Sequence, residues 1–254
     1  MNPLAGRVAL VTGGSRGIGA AVARKLASLG MRVAIVGRAR GQLEAVAAEI
    51  GAVPIISNVA ERGSAESILA GVKSTLGEVD VLVPNAGIDA SYKLADTTDE
   101  VWDEIFATNV GAVFRLCRAA IPGMIARGRG RVVVIASTAG LAGYPYTSAY
   151  CASKHAAVGL VRAIAAEIAR SPVTINAVCP GFVETDMAAR AIERIADKTG
   201  VAKDSAKNTL ARMSPQGRLI TPEEIAHAVS ALLPDEARGI HGQTVVVNGG
   251  GAFG

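Results

Sequence analysis

V-A-L-V-T-G-G-S-R-G-I-G-A-A-V-A-R-K-L-A, residues 8–27, holds a strand, a glycine-rich turn and the start of a helix in direct succession. Val8 to Val11 form a short apolar run, T-G-G-S-R-G-I-G follows at 12–19, and A-A-V-A-R-K-L-A has a helix-forming composition. That order predicts a βα unit whose turn receives a phosphate. Gly13 permits a tight turn and Gly17 lets backbone approach a pyrophosphate. Gly19 lets the helix pack on the sheet, and the helix N-terminus supplies N–H donors and positive potential. An ordinary glycine-rich βα turn has the same outline. The spacing here, G-x-x-x-G-x-G, also differs from the G-x-G-x-x-G of the general dinucleotide fingerprint, so the loop alone leaves both readings open.

Similar β-branched runs occupy 7–12, 31–36, 53–57, 79–83, 131–136, 173–178 and 243–247. Each is near-continuously apolar, as strands buried on both faces are. Stretches rich in Ala, Leu, Glu and Arg lie between them at 16–29, 40–50, 61–76, 99–127, 149–170 and 222–233 and are expected to be helices. The alternation predicts an α/β fold, a doubly wound, Rossmann-type parallel sheet of about seven strands with helices on both faces. No repeat or linker divides the chain, so residues 1–254 are expected to form one domain. A mostly helical insertion at 186–215 interrupts the last crossover and is expected to act as a substrate lid. Ligands of such sheets bind beyond the carboxyl ends of the strands, so the residues that follow each strand are the candidates.

Composition excludes several other classes. Half of the 254 residues are hydrophobic and 19% are charged, which supports a large core and argues against disorder. The net charge of +4 is spread without a polybasic run, so no nucleic-acid partner is expected. Cys117, Cys151 and Cys179 lack metal-ligand spacing, as do His155, His227 and His241, so no metal is expected. No apolar run approaches the ~20 residues that span a bilayer, and none precedes Val8 as a signal stretch; no membrane partner and a cytoplasmic address are the expectation.

The octapeptide at 12–19 resembles the cofactor loop of the short-chain dehydrogenase/reductase family in its single-domain form. The resemblance implies that Gly13, Ser15, Arg16, Gly17, Ile18 and Gly19 belong to a dinucleotide site. Near the end of the second strand, where a carboxylate would grip the adenosine ribose 2′-OH, the sequence has Gly37 followed by Arg38. Arg38 and Arg16, with no carboxylate beside them, favour a 2′-phosphate through charge-assisted bonds, so NADP(H) is the expected cofactor. Two solvated arginines would read the same way in sequence. Asn58-Val59 stands where the family commonly has Asp-Val at the adenine amino group, and an amide oxygen still accepts that bond.

The run R-V-V-V-I-A at 131–136 ends in Ser137-Thr138, and Y-C-A-S-K sets Tyr150 and Lys154 four residues apart, on one helical face. A neighbouring ammonium lowers the pKa of a phenol. Lys154 is therefore expected to activate Tyr150 as proton donor to a substrate oxygen, with Ser137 fixing the carbonyl. An i, i+4 tyrosine–lysine pair on a solvated surface has the same spacing. Family order supports the catalytic reading: N-A-G at 85–87 (Asn85, Ala86, Gly87), Asn109, Ser137, Tyr150, Lys154 and P-G-F-V-E-T at 180–185 follow in sequence. The resemblance implies that Asn109 positions a water for the lysine's proton relay. It places Pro180, Gly181, Val183 and Thr185 at the nicotinamide and pyrophosphate, with Tyr150 and Lys154 also touching the cofactor. Pro84 departs from the family's usual asparagine and is expected to cost the fourth strand a ladder bond.

The segments I-A-S-T-A-G, Y-C-A-S-K-H and I-N-A-V-C-P-G-F-V-E-T-D-M resemble those of bacterial 3-oxoacyl-thioester reductases, including ketoreductases of fatty-acid and aromatic polyketide synthesis. They imply a small carbonyl or alcohol substrate, with an acyl thioester on coenzyme A or acyl carrier protein foremost. Arg127, Arg129, Arg131 and Arg170, and Arg190, Arg194, Lys198, Lys203, Lys207 and Arg212 in the insertion, are candidates to receive its phosphates or an acidic carrier. Charges on a solvated face give the same count. A secondary-alcohol or cyclic-ketone dehydrogenase and a non-catalytic dinucleotide sensor remain alternatives. The resemblance also implies a homotetramer, with a dimer next, 99–127 and 149–170 pairing across subunits and the C-terminal V-V-V-N-G-G-G-A-F-G as a second contact.

Overall fold

In chain order the computed structural model, which describes residues 3–251, gives β1 (Val8–Thr12), α1 (Gly17–Ser28), β2 (Arg32–Gly37), α2 (Arg40–Ile50), β3 (Val53–Ile56), α3 (Ser64–Leu76) and β4 (Val81–Val83). Then follow α4 (Asp99–Phe106), α5 (Ala112–Ala126), β5 (Gly130–Ile135), α6 (Ser148–Ile168), β6 (Val173–Pro180), α7 (Asp186–Thr199), α8 (Lys203–Ala211), α9 (Pro222–Ala231) and β7 (Thr244–Val247). The strands form one seven-stranded sheet of order β3-β2-β1-β4-β5-β6-β7, and every neighbouring pair is parallel.

Side chains alternate across a strand, so each central strand feeds two cores. Val8 and Leu10 of β1 pack with α3, α5 and α6, while Ala9 and Val11 pack with α1, α2 and α9. The two edge strands depart from the expected continuous burial. β3 alternates half-buried and exposed residues, and Val246 of β7 is exposed, because an edge strand has less protein around it. The helix expected over 99–127 is continuous but contains a π-turn at Ala107–Gly111 between α4 and α5. Pro84 falls just past the end of β4, and its carbonyl still accepts from the Ile135 N–H at 2.9 Å. Its missing donor therefore marks the end of the strand.

The direction of winding reverses between β1, whose chain proceeds to β2, and β4, whose chain proceeds to β5. Such a switch point opens a crevice at the carboxyl ends of the strands. Helices α7 and α8 form within the 186–215 insertion, and Thr185 caps α7 by accepting from the Ala188 N–H. α9 begins with a reciprocal capping box of Thr221 and Glu224 and with Pro222 in its first turn. Among the described residues no helix is long and apolar enough to cross a membrane. Residues 252–254 of the expected C-terminal contact lie outside the described residues.

Candidate active site

A cleft of about 1200 Å³ lies beyond the carboxyl ends of β1, β2, β4, β5 and β6, walled on its open side by α7. It brings together nearly all the residues singled out from sequence. Gly13, Ser15, Arg16, Gly17, Ile18, Arg38, Asn58, Val59, Asn85, Ala86 and Gly87 line it, as do Ser137, Tyr150, Lys154, Pro180, Gly181, Val183 and Thr185. Gly19 and Asn109 stand behind its wall.

The glycine loop is shaped by close approach. Gly13 has φ +67°, and a Cβ there would meet the Asn85 amide nitrogen at 2.8 Å and the Ala86 Cα at 3.0 Å. Gly17 has φ +53°, and its Cβ would press the Thr185 methyl at 3.1 Å. A Cβ on Gly19 would run into the Gly13 carbonyl oxygen. Gly19 thus serves the packing of loop on helix rather than the cleft. Thr12, which the sequence reading passed over, anchors the other side: its Oγ1 accepts from the N–H groups of Asn85 and Ala86, at 3.0 and 3.1 Å. The Asn85 amide in turn donates to the carbonyls of Thr12 and Gly13. N-A-G is therefore a clasp between the ends of β1 and β4.

At the end of β2 a Cβ on Gly37 would meet the Leu43 side chain at 3.1 Å, so an acidic residue there would have to press Leu43 aside. Arg38 is exposed at the cleft rim and, among the described residues, makes no ion pair. Arg16 is turned elsewhere, pairing with Asp186 of α7 at 3.0 Å. The Asn58 oxygen accepts from the Ala60 N–H and its amide donates to Glu61, leaving one lone pair for another donor. A glycine cradle at a helix N-terminus, an unpaired cation where a 2′-phosphate would lie and no carboxylate beside it fit a phosphorylated dinucleotide.

At the far end of the cleft Ser137 follows β5, and its Oγ accepts from the Ala139 N–H at 3.1 Å. Tyr150 and Lys154 come from the first turns of α6, with the Lys154 Nζ 5.7 Å from the Tyr150 ring centroid. The two share a face, as their spacing requires. The expected electrostatics do not follow. Burial pushes the Tyr150 phenol up to about 12, opposed by a hydrogen bond from Ser137 and reinforced by the negative charge of Asp89. Burial also pulls Lys154 down to about 8, and its ammonium donates to the Ile135 carbonyl at 3.1 Å. Desolvation is the largest cause of both shifts, and neither group counts the other among the causes of its own, so the phenol's pKa goes up and not down.

Asn109 sits in the π-turn, buried. Its Oδ1 accepts from the Ile88 N–H at 2.9 Å, and its amide donates to the Ile88 carbonyl and to Ser153 Oγ, at 2.9 and 3.0 Å. Ser153 donates onward to the Tyr150 carbonyl. Both amide hydrogens are thus committed to protein. The expected water contact falls to the oxygen's second lone pair or to the backbone, and the side chain's evident work is to brace Ile88 against α6.

Three further features were not legible beforehand. Asp89, mostly buried, pairs with Arg194 at 2.9 Å and Arg190 at 3.5 Å, tying α7 to the loop after β4. Tyr144 shares a 3.0 Å hydrogen bond with Thr138 and meets Phe182 edge-on. Tyr146 has φ +65°, a conformation that costs a bulky residue about 1–2 kcal/mol. The basic group at 127–131 does not face the cleft. Arg131 is buried and bonded to Asp235, Arg129 pairs with Asp80 and Arg127 with Glu78, all at the start of β5, the end of the sheet away from the cleft. Of the insertion's cations, Arg190, Arg194 and Lys198 line the cleft, while Lys203 pairs with Glu193.

Comparison with known proteins agrees with this architecture. The family model described as short chain dehydrogenase matches residues 7–196. The chain is 38% identical over 247 residues to 3-oxoacyl-[acyl-carrier-protein] reductase FabG of Escherichia coli (strain K12), covering 96% of this chain and 97% of that protein. It is 38% identical over 250 residues to a putative ketoacyl reductase of Streptomyces coelicolor, covering 96% of each. The crystal structure of a single-substitution variant of actinorhodin polyketide ketoreductase with NADPH superposes with a TM-score of 0.94 at 37% identity, covering 98% of both chains.

Proposed function

Since this chain belongs to the short-chain dehydrogenase family, and is an oxidoreductase of C=O and CH–OH carbons, we propose that it reduces 3-oxoacyl thioesters with NADP(H). The observation that carries the reading is the single cleft that joins the glycine cradle and the unpaired Arg38 at one end to Ser137, Tyr150 and Lys154 at the other. The relatives' printed names, an acyl-carrier-protein reductase and a ketoreductase solved with NADPH, support the same substrate and cofactor.

Gly13, Ser15, Gly17 and Ile18 would hold the pyrophosphate, Arg38 the 2′-phosphate, Asn58 and Val59 the adenine, and Pro180, Gly181, Val183 and Thr185 the nicotinamide end. When bound, NADPH supplies the hydride. The remaining work belongs to this chain. Ser137 donates a hydrogen bond to the substrate carbonyl, and Tyr150, protonated at neutral pH as any phenol is, gives its proton to the oxygen as negative charge develops there. Lys154 replenishes that proton, and α7 with α8 closes over the substrate and excludes water. A phenol held near 12 is protonated at neutral pH, the form that can donate to the developing oxyanion. The working unit in this reading is a homotetramer.

Steady-state assays with NADPH would compare acetoacetyl thioesters of coenzyme A and carrier protein with cyclic ketones and steroids. The thioesters should exceed the others in kcat/KM by orders of magnitude; equal values would favour a secondary-alcohol dehydrogenase. Comparable kcat/KM with NADH and NADPH would overturn the cofactor reading.

A further inference from the structure

The chain has four tyrosines, and all of them belong to one neighbourhood. Tyr144, Tyr146 and Tyr150 line the cleft, and Tyr92 donates its N–H to the Tyr146 carbonyl at 2.9 Å. Phe182 lines the same cleft, with its ring 6.2 Å from that of Tyr144 and perpendicular to it. In a chain that is only 4% aromatic, this gathers ring faces where a substrate's acyl body must lie.

Tyr146 is the informative member. It is the one non-glycine residue with positive φ among the described residues. The turn it makes would be served without strain by glycine, and more easily by asparagine than by any bulky side chain. The backbone therefore supplies no reason for a tyrosine, whereas the residue's position does: Tyr146 is 62% exposed, at the cleft, four residues before Tyr150. Strained residues of this kind gather at ligand sites, where surrounding structure holds them. Here that support is the Tyr92 bond on one side and, on the other, Tyr144, which is fixed through its hydroxyl to Thr138 and through its carbonyl to the Thr147 hydroxyl. Across the cleft the insertion contributes Met187 and Met213, polarizable side chains that pack well on π faces.

We propose that Tyr146 is a specificity-determining residue that selects substrates whose 3-oxoacyl group carries a planar aryl or conjugated body, through contact with the ring that its left-handed backbone holds at the cleft mouth. The proposal rests on the thioester-reductase reading and names the substrate class within it. Aromatic pairs prefer offset or edge-to-face contact and gain from it beyond the area they bury, whereas a saturated chain gains only the area.

The test uses Tyr146→Gly and Tyr146→Asn, both at ease with positive φ, and Tyr146→Phe, which keeps the ring. Each is assayed with NADPH on a benzoylacetyl and an acetoacetyl thioester of the same N-acetylcysteamine carrier. The aryl-to-alkyl ratio of kcat/KM should fall at least about tenfold in the Gly and Asn variants, which corresponds to about 1.4 kcal/mol of lost discrimination, and stay near the parent value in the Phe variant. Melting midpoints of the Gly and Asn variants no lower than the parent's would show that the fold is intact and the strain relieved. A ratio unchanged in the Gly and Asn variants, or lost equally in the Phe variant, overturns the proposal. If the parent reduces neither thioester, the thioester reading fails instead, and the same ratio taken on acetophenone-type against alkyl methyl ketones decides the role of Tyr146 separately.

Discussion

Lys154 is a buried cation without a carboxylate partner; its ammonium has the Ile135 carbonyl at 3.1 Å, and burial draws its pKa from 10.5 down to about 8. Between those two values the unfolded chain holds the proton that the folded protein has lost, so stability rises with pH across that window and is lower below it. Lys154→Met removes the buried charge while keeping an apolar stem of similar length. It should raise stability at neutral pH by about 1–3 kcal/mol, seen as a higher denaturant midpoint, while turnover collapses. A lowered midpoint would mean that the lysine contributes more to the fold than burial takes away. The same pKa places the alkaline limb of reduction. Tyr150 stays protonated to about 12 while Lys154 discharges near 8, so kcat/KM for reduction should be level below pH 8 and decline above it. A limb first appearing above pH 10 would remove Lys154 from the proton path. Tyr150→Phe should lower turnover about 100- to 10,000-fold and leave NADPH affinity, read by fluorescence titration, close to the parent's. Retained turnover would reject Tyr150 as donor. The spacing that identifies these two residues was plain in Y-C-A-S-K. The direction of the phenol's shift was not, because desolvation depends on what the fold lays over α6 and no local pattern encodes it.

Helix α7 is held to the cleft by unequal contacts. The Arg16–Asp186 pair is exposed at both ends and contributes little. Asp89 is mostly buried and grips Arg194 and Arg190 one turn apart on the same helix. Asp89→Asn should therefore loosen α7, seen as faster amide hydrogen exchange over 186–199, with β1 and β5 unchanged. Because the charge of Asp89 also helps to hold the Tyr150 pKa up, its removal favours the phenolate. The pH profile of alcohol oxidation should then move toward lower pH in the same variant. Unaltered exchange together with an unmoved profile would leave Asp89 no role in the lid. The elements themselves were legible because five central strands, packed on both faces, are mostly apolar along their length. β3 and β7 carried the same composition, and only their edge positions made their burial partial. The π-turn at Ala107–Gly111 falls inside one helix-forming stretch, 99–127, whose composition does not announce it. Asp89 had none either, for its partners lie a hundred residues away. The left-handed Tyr146 was hidden for the opposite reason, since that conformation is ordinarily announced by glycine or asparagine.

At the scale of the molecule, one end of the sheet holds the site and the other end holds the ion pairs of Arg127, Arg129 and Arg131. Sequence could group Arg127, Arg129 and Arg131 but could not tell which end they occupy; their partners Glu78, Asp80 and Asp235 place them with structural work. The outer surface of α4 and α5 poses a different problem. Trp102 stacks on Phe106 at 4.5 Å yet stays exposed, and Phe114 is exposed with Arg118 lying 5.2 Å over its ring. Large apolar side chains left to water on one pair of helices are what an association surface presents. A cyclic assembly buries them most economically, because a twofold contact uses each residue twice. The expected homotetramer would use this surface for one of its contacts. Phe114→Glu then places two like charges in every such interface, and the repulsion and desolvation count twice. Light scattering after gel filtration should show the parent as a tetramer and the variant as dimers or monomers, with cofactor affinity retained because the cleft lies at the carboxyl ends of the strands. A parent that runs as a monomer, or a variant that assembles like the parent, would remove this face from the assembly and leave its exposed rings to be explained by a different partner.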